Sequence, residues 1–93
     1  MPVYVSLLRW TDQGRTKAKD LAARYADGQQ RIKDAGGNEI GTWVTMGQYD
    51  MVSVIEAPND EAMAKIALAI AGRGNAATET MRGFTLQEVA KLV

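Results

Sequence analysis

The segment GQYD, residues 47–50, places a tyrosine and an aspartate at a corner that leads directly into an apolar strand. A phenol hydroxyl can donate a hydrogen bond to a ligand, and a neighbouring carboxylate can act as a base or orient the phenol. The same residues can instead hold the corner, because Gly47 can adopt a positive φ and Asp50 can accept hydrogen bonds from nearby backbone N–H groups. We favour this structural interpretation, since short Gly/Asp turns between apolar strands are typical of β-hairpins.

Charged side chains within the predicted strands form a second group of candidates: Arg9, Glu56, Glu79 and Arg82. A charge in a strand needs a partner or a cavity, because burial of an unpaired charge is costly. Arg9 and Glu56 fall near the ends of two apolar segments, which suggests a cross-strand ion pair. Glu79 and Arg82 are three residues apart, so they should point to opposite faces of their strand. Ion pairs and solvated edges explain all four. The alternative is a pocket between sheet and helices that binds an anionic or phenolic ligand near Arg9 or Arg82.

Aromatic side chains could form the wall of such a pocket. Trp10 and Trp43 are the candidates, although aromatic residues on apolar strands more often belong to a core or an interface. The candidate ligand-binding residues are therefore Arg9, Trp43, Tyr49, Asp50, Glu56 and Arg82. No catalytic residue can be assigned from this set.

Composition excludes several kinds of chemistry. The chain has no Cys and no His, which excludes disulfides, thiolate metal sites, His-based triads and a histidine haem ligand. Eleven basic residues balance eleven acidic residues without a basic stripe, so we expect no nucleic-acid partner. Asp50, Glu56 and Glu79 offer oxygen ligands for Mg²⁺ or Ca²⁺, but no ligand spacing supports a metal site. We predict neither a metal nor a cofactor.

Length indicates a single domain spanning residues 1–93. A chain of this size hides only roughly 60–65% of its unfolded surface when it folds, so burial through self-association would matter. The N-terminal segment MPVYVSLLRW lacks the basic start and the cleavage site of a signal peptide. No apolar run reaches the roughly 20 residues that span a bilayer. We therefore expect a cytoplasmic protein without a membrane partner.

Hydrophobic periodicity predicts four strands, two main helices and a short terminal helix. The strands are expected at residues 3–10, 39–46, 51–57 and 76–84. Gly14 suggests a first helix in two pieces, and Gly28 within it suggests close packing or a bend. Thr85 to Glu88 has the pattern of a capping box that opens the last helix.

The order βαββαβ favours an α+β, ferredoxin-like fold. Right-handed crossovers give a four-stranded antiparallel sheet with both main helices on one face and the first and third strands in the centre. Both central strands are apolar on both of their faces, whereas a sheet face exposed to water should be polar. A second copy of the chain is the simplest cover for the face without helices. We predict a homodimer, or a higher oligomer, with sheets packed face to face.

Four blocks of the sequence resemble one known family in order and spacing: TDQG, GQYD, EAPNDEAMAKIALAIAGRGN and ATETMRGFT. GQYD matches the Gly-any-Tyr-Asp signature for which the GYD-domain family is named, and the resemblance extends from Val3 to Val89. The first helix differs, since KDLAAR continues without the Ser and Pro that the family often has there. The resemblance implies a dimeric α/β-barrel, in which two such sheets close into one barrel. It implies little about activity, because most members of that family are uncharacterised.

Two functional hypotheses remain from the sequence. The first is a small homo-oligomeric module that binds a ligand or interacts with other proteins. The alternative is a cofactor-independent isomerase or monooxygenase that acts on a small organic molecule between sheet and helices. Without His, its acid and base would have to come from Tyr49, Asp50 and Glu56. RNA binding is disfavoured, because Tyr4 is the one aromatic residue well inside the central strands and the net charge is zero.

Overall fold

A four-stranded antiparallel sheet forms one layer of the molecule, as the computed structural model shows for all 93 residues. Its strands are β1 (Val3–Trp10), β2 (Asn38–Val44), β3 (Met51–Glu56) and β4 (Ala76–Gly83). Their order in the sheet is β2-β3-β1-β4, and every neighbouring pair is antiparallel. The prediction that the first and third strands are central is confirmed.

Helices connect and follow these strands: α1 (Asp12–Thr16), α2 (Leu21–Asp34), α3 (Asp60–Ala71) and α4 (Leu86–Ala90). A 3₁₀ turn over Ala18–Asp20 separates α1 from α2, so the first helix is divided as Gly14 suggested. The fold is α+β and ferredoxin-like, as the sequence predicted.

Side-chain caps explain where most of the helices begin. The hydroxyl of Thr11 accepts the N–H of Gly14 at the start of α1, and Asn59 accepts the N–H of Ala62 at the start of α3. Thr85 and Glu88 form the predicted capping box of α4. Gly36, with a φ of 80°, follows the end of α2, where a positive φ favours glycine.

The hydrophobic core lies between the sheet and the two longer helices. Six buried residues form it, contributed by all of these layers: Tyr4, Ile32, Ile55, Ala57, Met63 and Ile66. Ten of the 93 residues are buried, so this core is thin for a chain that must fold alone.

The opposite face of the sheet carries no helix, and we call it the open face. Its apolar side chains are Val3, Val5, Leu7, Trp43, Val52, Val54 and Met81. They share this face because Tyr4, Ser6 and Leu8 are buried beneath the helices and alternate residues of a strand point the other way. Trp43 and Met81 lie directly opposite open-face valines in neighbouring strands and are about half exposed.

Candidate functional site

The GQYD corner is held by its aspartate. Gly47 has a φ of 113°, as its position in a tight corner required. Pairing between β1 and β3 ends at Leu8 and Met51, and Asp50 extends it. Its backbone N–H donates to the Leu8 carbonyl at 2.9 Å, and its Oδ2 accepts the Trp10 N–H at 2.8 Å. The geometry therefore supports the structural interpretation of Asp50.

Replacing Asp50 tests this role. Asp50→Ala leaves the Trp10 N–H without its charged acceptor, and we expect a loss of about 2 kcal/mol in the free energy of unfolding. Asp50→Asn keeps an acceptor oxygen and should lose less. Urea unfolding followed by circular dichroism measures both.

A suitable control is Asp20→Ala, because the Asp20 carboxylate makes no capping hydrogen bond. This change should stay within about 0.5 kcal/mol. If Asp50→Ala changes stability no more than Asp20→Ala does, Asp50 does not hold the corner.

The Tyr49 side chain extends from this corner over the open face. Its hydroxyl donates to Glu79 Oε2 at 2.6 Å, and Glu79 lies opposite Leu7 in the sheet register. The guanidinium of Arg9 lies 4.8 Å from the centre of the Tyr49 ring, and Arg9 Nε donates to the Gln48 carbonyl at 2.8 Å. This cluster joins the β2–β3 loop to β1 and to β4, and through Tyr49 it gives each of the two charges at that end of the open face a stabilising contact.

The suggested ion pair between Arg9 and Glu56 is wrong. The strands run antiparallel, so Glu56 at the end of β3 lies opposite Val3 at the start of β1. Arg9 is six residues further along β1, or about 20 Å away. Glu56 instead accepts a hydrogen bond from Asn38 Nδ2 at 3.3 Å.

Arg82 lies at the edge strand on the helix-covered side of the sheet. Its guanidinium is 4.3 Å from the centre of the Phe84 ring and 5.8 Å from that of Tyr4. It also pairs with Glu88 at 3.7 Å, which ties α4 to β4. Glu79 and Arg82 thus point to opposite faces, as predicted. The six candidate residues are not brought together: four lie on the open face, Asp50 holds a corner and Arg82 lies on the other side.

All three tyrosines donate their hydroxyl to a carboxylate. Tyr4 donates to Asp60 at 2.6 Å, and burial followed by that bond raises the pKa of Tyr4 above its ordinary 10.0. The bond to Glu39 raises the pKa of Tyr25, and the bond to Glu79 raises the pKa of Tyr49, with desolvation second in each. The partners lie far away in sequence, so sequence reasoning could not have paired them.

These pairs predict a loss of stability in alkali. The folded chain holds the phenol protons more tightly than the unfolded chain, so the stabilisation is complete below pH ~10 and is lost as the pH rises through the raised pKa values. Tyrosinate absorbance followed against pH should give midpoints above 10.0 in the folded protein. Tyr4→Phe should flatten the fall in stability across this range. Midpoints at or below the ordinary value would contradict the tyrosine–carboxylate pairs.

Two further sequence blocks contact each other, and sequence reasoning missed this. TDQG, residues 11–14, lies against the loop at 73–75. The Thr11 hydroxyl donates to the Gly74 carbonyl at 2.6 Å, and Gln13 Nε2 donates to the Arg73 carbonyl and to Asn75 Oδ1. This contact fixes α1 against the C-terminal end of α3. The signal that could have suggested it is the pair of glycines within RGN and TDQG, which permit close backbone approach.

A cavity lies on the helix-covered side of the sheet, below α2. It has a volume of about 100 Å³ and is partly open to solvent. None of the six candidate residues lines it. Gly28 does line it, and a Cβ built there would meet no atom within 4 Å, so the expectation of close packing at Gly28 is wrong. No group of three Asp or Glu side chains is arranged to hold a metal ion.

Fold and contacts define a small ferredoxin-like α+β domain with one bare sheet face. The chain belongs to the GYD domain family, whose match covers residues 4–93. Within that match, GQYD and TDQG are the segments that fix the β2–β3 corner and α1.

Comparison with known proteins identifies relatives of similar size. A Thermus thermophilus protein named "Glutamine synthetase and cystathionine beta-lyase binding protein" is 27% identical over 90 residues, which are 96% of this chain and 95% of the relative. The crystal structure of FFRP-DM1 superposes with a TM-score of 0.62 at 15% identity, over 90% of this chain and 100% of that one. The crystal structure of TTHA0845, also from Thermus thermophilus, gives 0.59 at 17% identity, over 91% and 95%. At these identities the two structures support the fold alone. None of the helices is both long and apolar enough to cross a membrane.

Proposed function

We propose that this protein is a homodimeric interaction module whose subunits pair through their open faces and which, as a dimer, binds other proteins. The observation that carries the proposal is the apolar open face. Valine, leucine, tryptophan and methionine side chains cover two central and two edge strands there, and both helices lie on the other side. A sheet face of this composition is typical of one that packs against a second layer.

The exposed area of the chain supports a second copy as the cover. A monomer of 10.1 kDa is expected to expose about 5,300 Å². This chain exposes 6057 Å², an excess of roughly 750 Å². A standard protein interface buries about 800 Å² on each partner, so the excess is of the size that one dimer interface would remove.

Charge on the open face also suits a copy of the same chain. Arg9 and Glu79 are linked there through Tyr49, so neither charge has to be buried alone. Glu56 lies at the other end of the face, beside Asn38, so the face between these ends can meet its own copy about a two-fold axis without repulsion. Such a face carries no strong net charge that could attract a highly charged partner.

Binding to other proteins is suggested by the relative from Thermus thermophilus, whose name describes a protein that binds two enzymes. Pairing through the open faces would leave the helices and α4 outside. Exposed apolar side chains on that outer surface include Leu68, Leu86 and Leu92. These are the residues that we expect a partner protein to contact.

Sedimentation velocity tests whether the chain self-associates. Binding of a candidate partner to the immobilised protein tests the interaction with other proteins. We expect a dimer at micromolar concentration, together with saturable binding of purified glutamine synthetase or cystathionine β-lyase. A monomer would remove the first part of the proposal. A dimer that binds neither enzyme would remove the support that the relative supplies for the second.

The isomerase or monooxygenase alternative receives less support. Its three proposed acid and base residues each have a different hydrogen-bond partner. The Tyr49 hydroxyl donates to Glu79, Asp50 accepts from the Trp10 N–H, and Glu56 accepts from Asn38. None of them lines the cavity between sheet and helices. Chemistry on a small molecule would therefore need other residues.

A further inference from the structure

The helix-covered face of the sheet contains an unexpected row of hydroxyls. Thr42 lies opposite Ser53, Ser53 opposite Ser6, and Ser6 opposite Thr80, so each of the four strands contributes one residue. This face holds the hydrophobic core, whereas the open face is rich in valine. Ser6 is the one buried polar side chain of the molecule, with 5% of its surface exposed. We call these four residues the hydroxyl row.

The cavity lies directly on this row. Ser6, Thr42 and Ser53 line it from the sheet, and Gly28 and Ile32 line it from α2. Most of the remaining wall is apolar, including Leu8, Trp10, Met51, Ile55 and Ile70. Its volume of about 100 Å³ approaches the roughly 150 Å³ of a cavity that binds benzene. An apolar pocket with a few polar groups on one wall is typical of small-molecule sites.

Each charged side chain around the cavity already has an ion-pair or hydrogen-bond partner within the chain. Arg73 pairs with Asp27 at 2.8 Å, the Tyr25 hydroxyl donates to Glu39, and Arg24 donates to the Gly14 carbonyl at 3.0 Å. The two cations and two anions of the lining also sum to zero. The lining therefore offers an ionised ligand no net opposite charge to offset the cost of its burial, so a neutral ligand fits best.

The hydroxyls are only partly satisfied by one another. Thr42 and Ser53 share one hydrogen bond of 2.9 Å, and Ser6 and Thr80 share one of 3.3 Å. Each hydroxyl carries one hydrogen, and each pair uses one of its two hydrogens in the shared bond. One hydrogen in each pair is therefore available to an acceptor outside the pair.

We propose that this cavity binds a small, neutral, mostly apolar molecule with one acceptor oxygen, which accepts a hydrogen bond from Ser53 or Ser6. The apolar wall contacts the body of the molecule, and the hydroxyl row orients its oxygen. Gly28 leaves space on the α2 side of the cavity, because it lines the cavity and a Cβ built there meets no atom within 4 Å.

Phenol is a suitable probe, because it combines a small ring with one oxygen. Titration of the isotope-labelled chain, followed by NMR, should shift the backbone amide signals of Ser6, Thr42 and Ser53. Benzene should bind about tenfold more weakly, since it cannot use the hydroxyl row. Benzoate should bind at least about tenfold more weakly, since a lining with no net charge does not offset the cost of burying a carboxylate. Shifts confined to residues outside the cavity would overturn the proposal.

Two variants distinguish binding in the cavity from nonspecific binding to the protein. Ser53→Ala should lower the affinity for phenol by about fivefold and leave the affinity for benzene unchanged. Gly28→Leu should fill the space and abolish binding of both, while Thr16→Ala on α1 should change neither. If Ser53→Ala does not fold, Ser6→Ala replaces it, because Ser6 is the other proposed donor, and the expected results are the same. Equal phenol affinity in Gly28→Leu and the unaltered chain would contradict the site. The cavity is on the helix side, so phenol binding should survive a change that separates the dimer; the two proposals can fail independently.

Discussion

Val54→Arg should sediment as a monomer at concentrations at which the unaltered chain is a dimer. Val54 lies in central strand β3, between Val5 of β1 and Gly41 of β2 on the open face. A guanidinium at this position would be buried without a partner when two open faces meet, which is strongly unfavourable. We expect the dissociation constant to rise at least about 100-fold, which corresponds to about 3 kcal/mol. Sedimentation velocity over a concentration series measures it.

Leu68→Arg is the matched control. It introduces the same side chain at an apolar position, but Leu68 is 73% exposed on α3, on the other side of the sheet. This variant should remain a dimer, and both variants should keep the circular dichroism of the unaltered chain. If Val54→Arg stays dimeric, the subunits do not pair through the open face.

Gly14→Ala is expected to give the largest loss of stability among single-methyl changes. A Cβ at Gly14 would lie 2.1 Å from the carbonyl oxygen of Asn75, and backbone cannot move aside as a side chain can. Relief of this clash would separate α1 from the 73–75 loop and break the bonds made by Thr11 and Gln13. We expect a loss of about 3 kcal/mol in the free energy of unfolding, measured by urea denaturation.

The same substitution at Gly28 should have the opposite effect on the free energy of unfolding. Gly28 is inside α2 and its Cβ would meet nothing within 4 Å. Alanine there should stabilise the chain by about 0.5–1 kcal/mol, because it restricts the unfolded chain and favours helix. A similar loss for both variants would show that the close approach at Asn75 does not decide the effect.

Periodicity was sufficient to predict the fold. Alternating apolar residues in β1 and β3 identified strands that are buried on one face and apolar on the other, and this placed them in the centre of the sheet. The structural role of Asp50 was also predicted, but its partner was not, because the N–H that it binds belongs to Trp10 of β1, 40 residues away in the sequence. Helix boundaries followed from local signals such as the Thr85–Glu88 capping box.

Contacts that depend on strand register could not be predicted. Tyr49 reaches Glu79 because β4 lies beside β1, and nothing local to either residue indicates this. The hydroxyl row exists only when four separate strands are aligned, so single serines and threonines in the sequence gave no signal. The error over Arg9 and Glu56 has the same origin, since strand ends were compared without the antiparallel register.

The position of β1 has a consequence for synthesis of the chain on the ribosome. β1 is the first strand of the sheet to be made, yet one of its two neighbours is β4, and Val3 pairs with Gly83, 80 residues later. A nascent chain therefore cannot complete its sheet until β4 has left the exit tunnel. Until then a central strand is exposed as an edge, which invites pairing with other chains. Truncated products that end before β4 should accordingly aggregate or be degraded rather than fold.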